Sequence, residues 1–233
     1  LLGFAGMFTA GAAEAAPYFA PTGSMTVARS APASAPLPNG GALVAGGISG
    51  GGIVNTAEVF NPASGTFSST GPMVDSRVSA AASQLPDGKI LVAGGVGDVP
   101  FPQSGYLAQT EIYDPSTESF SAYTPMPEPR ARMAAASLPD GRVMLFGGDG
   151  VGGVDLDSTV ILDPATGVWS AGPSMPEVMV DPVASALPDG TVLVAGGSSP
   201  TRVLIYDPES ETFAYGGYLF EGRTAASAAP LAD

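Results

Sequence analysis

Arginines hold one recurring place in this chain: Arg29, Arg77, Arg130 and Arg223 each stand eight residues before a Leu, with Met179 as the exception in the series. A guanidinium is a planar fork of N–H donors that matches a carboxylate or sulfate. A ring of such groups on one face could bind acidic ligands or sulfated glycans. The same fork can instead tie down backbone carbonyls or a neighbouring acid. A second candidate is the stretch VGDVPFPQSGYLAQ (96–109), which carries Phe101, Gln103 and Tyr106. Exposed aromatics stack on sugars or anchor a protein partner; ordinary loop variability is the plainer reading. A third is Asp149, Asp155 and Asp157 among glycines. Hard cations such as calcium take oxygen ligands from loops of this kind, but the spacing is not that of an EF-hand, and no metal site is assigned.

Catalytic chemistry is poorly served. With no His and no Cys, the chain has neither an imidazole base nor a thiolate nucleophile, and it lacks the ordinary zinc or copper donors. Asp87, Asp140 and Asp189 belong to a repeated Leu-Pro-Asp-Gly, and Asp114, Asp163 and Asp207 each precede a Pro. Both sets read as turn formers, so no carboxylate pair stands out for acid–base work. No catalytic residue and no cofactor are assigned.

The elements that position these groups come from a repeat. LPDGKILVAGG (85–95) returns as LPDGRVMLFGG (138–148) and LPDGTVLVAGG (187–197), with a worn copy, LPNGGALVAGG (37–47). An apolar run ending in Asn/Asp-Pro follows each, and an aromatic stands five residues past the Pro: Phe67, Phe120, Trp169 and Phe213. The landmark-to-landmark periods are 48, 53, 49 and 44, and all of the variation lies in the loops 48–56, 96–109, 149–158 and 198–201. A fixed frame with one elastic loop is a repeating supersecondary unit whose variable loops share a face.

Each unit reads as short strands: an Ala/Ser-rich one, the LPDG turn, an apolar one without alternation, an alternating one, and one carrying the aromatic. A sheet whose second strand is apolar on both sides must be covered on both sides. Radial stacking of four-stranded blades does this, with the small glycines expected at the crowded axis. The residues resemble kelch repeats. The LPDG-x-x-LVAGG…YDP variety is similar to bacterial secreted kelch and galactose-oxidase-like propellers, over about residues 17–233. The resemblance implies an all-β, kelch-type β-propeller of four-stranded antiparallel blades, four full blades plus a partial one. It also implies that the loops after the second strand contribute to a ligand face. The copper chemistry of galactose oxidase uses histidine, which this chain lacks.

Composition bounds the partners. Acidic residues outnumber basic ones, 22 to 8, for a net charge of −14, and the basic residues are scattered. No basic stripe exists for nucleic acid, and an anionic membrane surface is equally disfavoured. Residues 1–15 read as the end of a secretory signal, with Ala13-Glu14-Ala15 as the small-x-small site. Eleven apolar residues are too few to span a membrane. The alternative is that residues 1–13 supply strands that close a five-blade ring; otherwise residues 16–233 form a propeller that begins a further blade at Arg223. The expectation is a secreted or extracytoplasmic, non-enzymatic binding module for protein or polysaccharide. The alternative is a fragment of a galactose-oxidase-like or sugar-active enzyme with its catalytic residues elsewhere.

Overall fold

The computed structural model describes residues 22–98 and 105–222, and within them the chain is all β, without a helix. Four antiparallel four-stranded sheets follow one another, each with its strands in chain order. Blade 1 comprises Ala33–Pro36, Ala42–Ala45, Ala57–Asn61 and Thr66–Thr70. Blade 2 comprises Ala81–Gln84, Ile90–Ala93, Thr110–Asp114 and Ser119–Tyr123. Blade 3 comprises Ala134–Ser137, Val143–Phe146, Thr159–Asp163 and Val168–Ala171. Blade 4 comprises Val183–Ala186, Val192–Gly196, Ser199–Asp207 and Thr212–Tyr218. The architecture is that of a kelch β-propeller. Residues 1–15 and the start of a further blade at Arg223 lie outside the described residues.

The LPDG phrase makes the first hairpin of each blade. In blade 2 the Gly88 N–H donates to the Leu85 carbonyl at 2.9 Å, and the Leu85 N–H to the Lys89 carbonyl at 2.8 Å. Pro86 presets the turn, the Asp87 carboxylate accepts the Lys89 N–H at 3.1 Å, and Gly88 takes φ +83°, where a side chain would be strained. At the next hairpin Asn61, Asp114, Asp163 and Asp207 each accept the N–H two residues on, at 2.8 to 2.9 Å. Both aspartate sets are therefore turn formers.

The second strands of blades 2 and 3 are buried at every position. Their alternate residues feed two different cores. Leu91 and Ile112 pack with Leu145 and Leu162 between blades 2 and 3. Met144 and Phe146 pack with Val194 and Tyr206 between blades 3 and 4. Burying one such side chain is worth roughly 1.5–3 kcal/mol, so the blade interfaces dominate the fold.

The axis is lined differently from the sequence expectation. The first, Ala/Ser-rich strands of successive blades pack side by side, blade 1 on 2, 2 on 3 and 3 on 4. Their small side chains allow that convergence. The glycine doublets instead form joints between blades. The N–H groups of Gly47, Gly95 and Gly148 donate to the carbonyls of Arg77, Arg130 and Met179 in the following blade, at 2.8 to 2.9 Å. A Cβ on Gly94 (φ +60°) would overlap the Arg130 carbonyl. Glycine is required there because its lack of a side chain lets the backbones of neighbouring blades touch.

Candidate functional site

Two of the landmark arginines, Arg29 and Arg77, are internal ties. The side chains of Arg29 and Arg77 are 0% exposed. Arg77 Nη1 donates to the carbonyls of Gly94 and Gln109, both at 2.9 Å, and Nη2 donates to Glu111 Oε1 at 2.6 Å. Glu111 also accepts the N–H groups of Val74 (2.7 Å) and Asp75 (3.0 Å). Arg29 repeats the pattern with Gly46, Thr56 and Glu58, and Glu58 accepts from Thr26 and Val27. Burial pushes the Glu58 carboxyl up, but the Thr26 donors and the Arg29 guanidinium outweigh it and hold it below the ordinary glutamate range. Of the two roles the sequence offered, a ligand-facing ring or ties to backbone carbonyls and an acid, these two arginines take the second, and the acid lies in the arginine's own blade. Arg130 is equally buried, and Arg223, Phe101 and Gln103 lie outside the described residues.

Tyr106 is the one residue of the long loop's candidate trio that can be placed, and it leads to a site. Its hydroxyl donates to Asp149 Oδ2 at 3.0 Å. Asp149 lies on a short strand, Asp149–Gly150, held between Arg130–Ala131 and Val154–Asp155. Burial and then the bond to Asp149 raise the Tyr106 hydroxyl above the usual tyrosine value, so it stays a donor. Arg132 Nη1 lies 3.6 Å from the same Asp149 oxygen, and Arg132 also makes a close ion pair with Asp181, through Nε at 2.9 Å and through Nη2. The chain Tyr106–Asp149–Arg132–Asp181 thus links the loop of blade 2 to the entries of blades 3 and 4. The other oxygen of Asp149, Oδ1, is buried with no hydrogen-bond partner among the described residues.

Arg132 and Asp181 share a repeat position with Ala31 and Ser79, two residues past each landmark. All four have positive φ, 49° to 56°, a region non-glycine residues seldom occupy. Their backbones form a belt: Ser79 N–H to the Ala31 carbonyl (3.0 Å), Arg132 to Ser79 (2.9 Å), Asp181 to Arg132 (2.8 Å). The belt spans blade to blade at the loop end of the axis. It borders a cavity of about 430 Å³, lined by these residues with Ser34 and Met133 among others. Arg132 and Asp181 escaped the sequence reading because they are off the landmark. The available signal was that this position changes chemistry (Ala, Ser, Arg, Asp) inside a fixed frame.

A larger cavity, about 540 Å³, opens on the opposite, turn-bearing face between blades 2 and 3, beside Asp87, Asp140 and Asp163. Similar grooves recur between blades 3 and 4 and between blades 1 and 2. Their aspartates are occupied in turns, and the periodic recurrence marks them as a product of blade geometry. The non-repeating polar groups converge instead at the loop end, around Asp149 and Arg132. Among the described residues no three acidic groups converge to hold a metal. No helix there is long and apolar enough to cross a membrane.

Comparison with known families agrees with the blades. Residues 77–127 and 130–176 each match the Kelch motif. Each match opens on a landmark arginine and runs past the outer strand of its blade, so the two matches are blades 2 and 3. They support a kelch-repeat family, whose repeats suggest a β-propeller protein-interaction module. No curated protein matches the chain.

Proposed function

We propose that this protein is a non-enzymatic binding module that recognises a protein partner at the loop end of its propeller axis. The observation that carries the reading is the Tyr106–Asp149–Arg132–Asp181 chain, whose Arg132 and Asp181 line the axial cavity. The chain joins side chains from three consecutive blades, and its Arg132 and Asp181 stand on backbone held at positive φ. Such a constellation orients a ligand, and the variable loops around it set which ligand. Phe101 and Gln103 extend the same loop and are proposed to share in recognition. Polysaccharide is the second ligand class. Secretion, or another extracytoplasmic location, is proposed from the apolar, signal-like residues 1–15.

The test uses a random-peptide display library and a glycan array, both probed with the purified chain. Selected peptides should lose at least tenfold in affinity for Arg132→Ala and keep it for the turn-face variant Asp189→Ala. Binding that ignores Arg132 and depends on Asp189 would overturn the reading. Selection of glycans without peptides would replace protein by polysaccharide as the ligand.

A further inference from the structure

Arg130 differs from its sisters. In blades 1 and 2 the landmark arginine meets a glutamate on the third strand, Glu58 or Glu111. Those glutamates pair in register with Val44 and Val92 of the second strand, each two residues before a glycine doublet. The same register position in blade 3, opposite Leu145, is Val160. In blade 4 both members are apolar: Met179 and Leu204, each buried. Among the described blades, blade 3 alone keeps the cation and lacks the anion.

Arg130 is 1% exposed. Its Nη1 reaches the carbonyls of Gly147 and Ser158 at 3.4 and 3.2 Å and its Nη2 reaches Ser158 Oγ at 3.2 Å; its Nε, like those of Arg29 and Arg77, has no partner among the described residues. It forms no salt bridge with any carboxylate among the described residues, whereas Arg77 donates to Glu111 at 2.6 Å. Burial lowers its proton affinity, with Glu128 partly offsetting this. Glu128 is exposed and corresponds to Asp75, whose N–H donates to Glu111 in blade 2. The position corresponding to Val74 is Pro127, which has no N–H to give. The donors left in blade 3 are therefore the Arg130 guanidinium and the Glu128 N–H. Valine ends at Cγ, where glutamate continues through Cδ to two oxygens. The fragment that distinguishes the blades is a carboxylate of formate size. A buried cation without an anion is costly, and removing it, as blade 4 does, would be the simpler solution.

We propose that blade 3 carries a small-carboxylate binding site, formed by Arg130 and the Glu128 N–H beside Val160. Its ligand is a carboxylate supplied from outside the blade, either as a free anion or as the chain end or acidic side chain of a partner. Arg130, Glu128 and Val160 are not part of the axial cavity's lining.

The experiment follows the Glu128 amide and the Arg130 Nε–H by NMR while sodium formate is titrated at constant ionic strength. A short peptide with a free or an amidated C-terminus is titrated separately. Wild-type chain should show saturable shifts at both groups. Saturation should weaken at least tenfold in Val160→Glu, which restores the internal anion, and in Arg130→Met. Formate alone saturating the site marks a free anion; tighter saturation by the free-ended peptide marks a partner. No saturable shift, or the same shift in Val160→Glu, would overturn the proposal. So would a shift that emerges only in Glu128→Gln, because the chain's own Glu128 would then be the ligand.

Discussion

Replacing Glu111 by Leu removes the anion of a pair whose side chains are 0% and 1% exposed. Three donors lose their acceptor at once: Arg77 Nη2, which bonds it at 2.6 Å, and the N–H groups of Val74 and Asp75. Stripping one partner from a buried pair costs about 3–5 kcal/mol, mostly because the remaining charge is left uncompensated. The two N–H groups lie near the surface, and Asp75 stays 3.4 Å from Arg77, so the lower end of that range, about 3 kcal/mol, is expected. The double variant Arg77→Met/Glu111→Leu copies blade 4, where Met179 and Leu204 are both buried. It should recover about half of the loss or more and fall within about 1–1.5 kcal/mol of wild type, the remainder being the unaccepted N–H groups. The assay is urea unfolding at neutral pH. With an m-value of about 3 kcal/mol/M, the single variant should lower the midpoint by about 1 M and the double by about half that or less. A double variant as unstable as the single would refute charge pairing as the reason. So would a single variant that loses less than about 1 kcal/mol, which is the range of an exposed pair.

Other outcomes follow from the same structure. Arg130→Met, which removes a buried cation with no internal anion, should leave stability within about 1 kcal/mol of wild type or raise it, measured by the same unfolding assay without added carboxylate. Gly94→Ala should destabilise by at least about 2 kcal/mol, because a Cβ would overlap the Arg130 carbonyl at a positive φ. Gly152→Ala, also at positive φ but with nothing within 4 Å of its Cβ, should cost only the backbone strain of about 1 kcal/mol. The hydroxyl and N–H of Ser116 hold the Asp114 carboxyl below its ordinary 3.8, so its stabilising contribution is complete above that pH and is lost as pH falls through the lowered folded value. Asp114→Asn keeps a turn acceptor, as Asn61 does in blade 1, and should flatten that part of the acid limb of a stability-against-pH curve.

The fold was legible because its determinants are local and repeated. Leu-Pro-Asp-Gly dictates a hairpin from Pro, Asp and a left-handed Gly. The unbroken apolar strands ILVA and VMLF announce burial on two sides. The axis was misread because small strands such as AASQ carry little hydrophobic signal. Their merit is steric and depends on how four sheets converge. The arginines were read both as a ligand-facing ring and as ties to carbonyls and an acid, but the acid itself was not named. Glu58 and Glu111 track Arg29 and Arg77, and Met179 goes with Leu204. That covariation inside one chain is visible in the repeats once the third strands are aligned. The axial cluster was harder to see. Tyr106 and Asp149 were each singled out, for recognition and for a cation, but their meeting with Arg132 and Asp181 is made by the belt of positive-φ backbone, which no side-chain pattern reports.

The central claim is that partners bind at the loop end of the axis, and the absence of native cysteine permits a direct test. Ser34 lines the axial cavity, and Asp189 lies on the opposite, turn-bearing face. Ser34→Cys and Asp189→Cys are each coupled to a bulky maleimide, and the affinity for a display-selected peptide is measured before and after. Blocking at position 34 should abolish binding while blocking at 189 leaves it intact. Retained binding at 34, with loss at 189, would contradict the account.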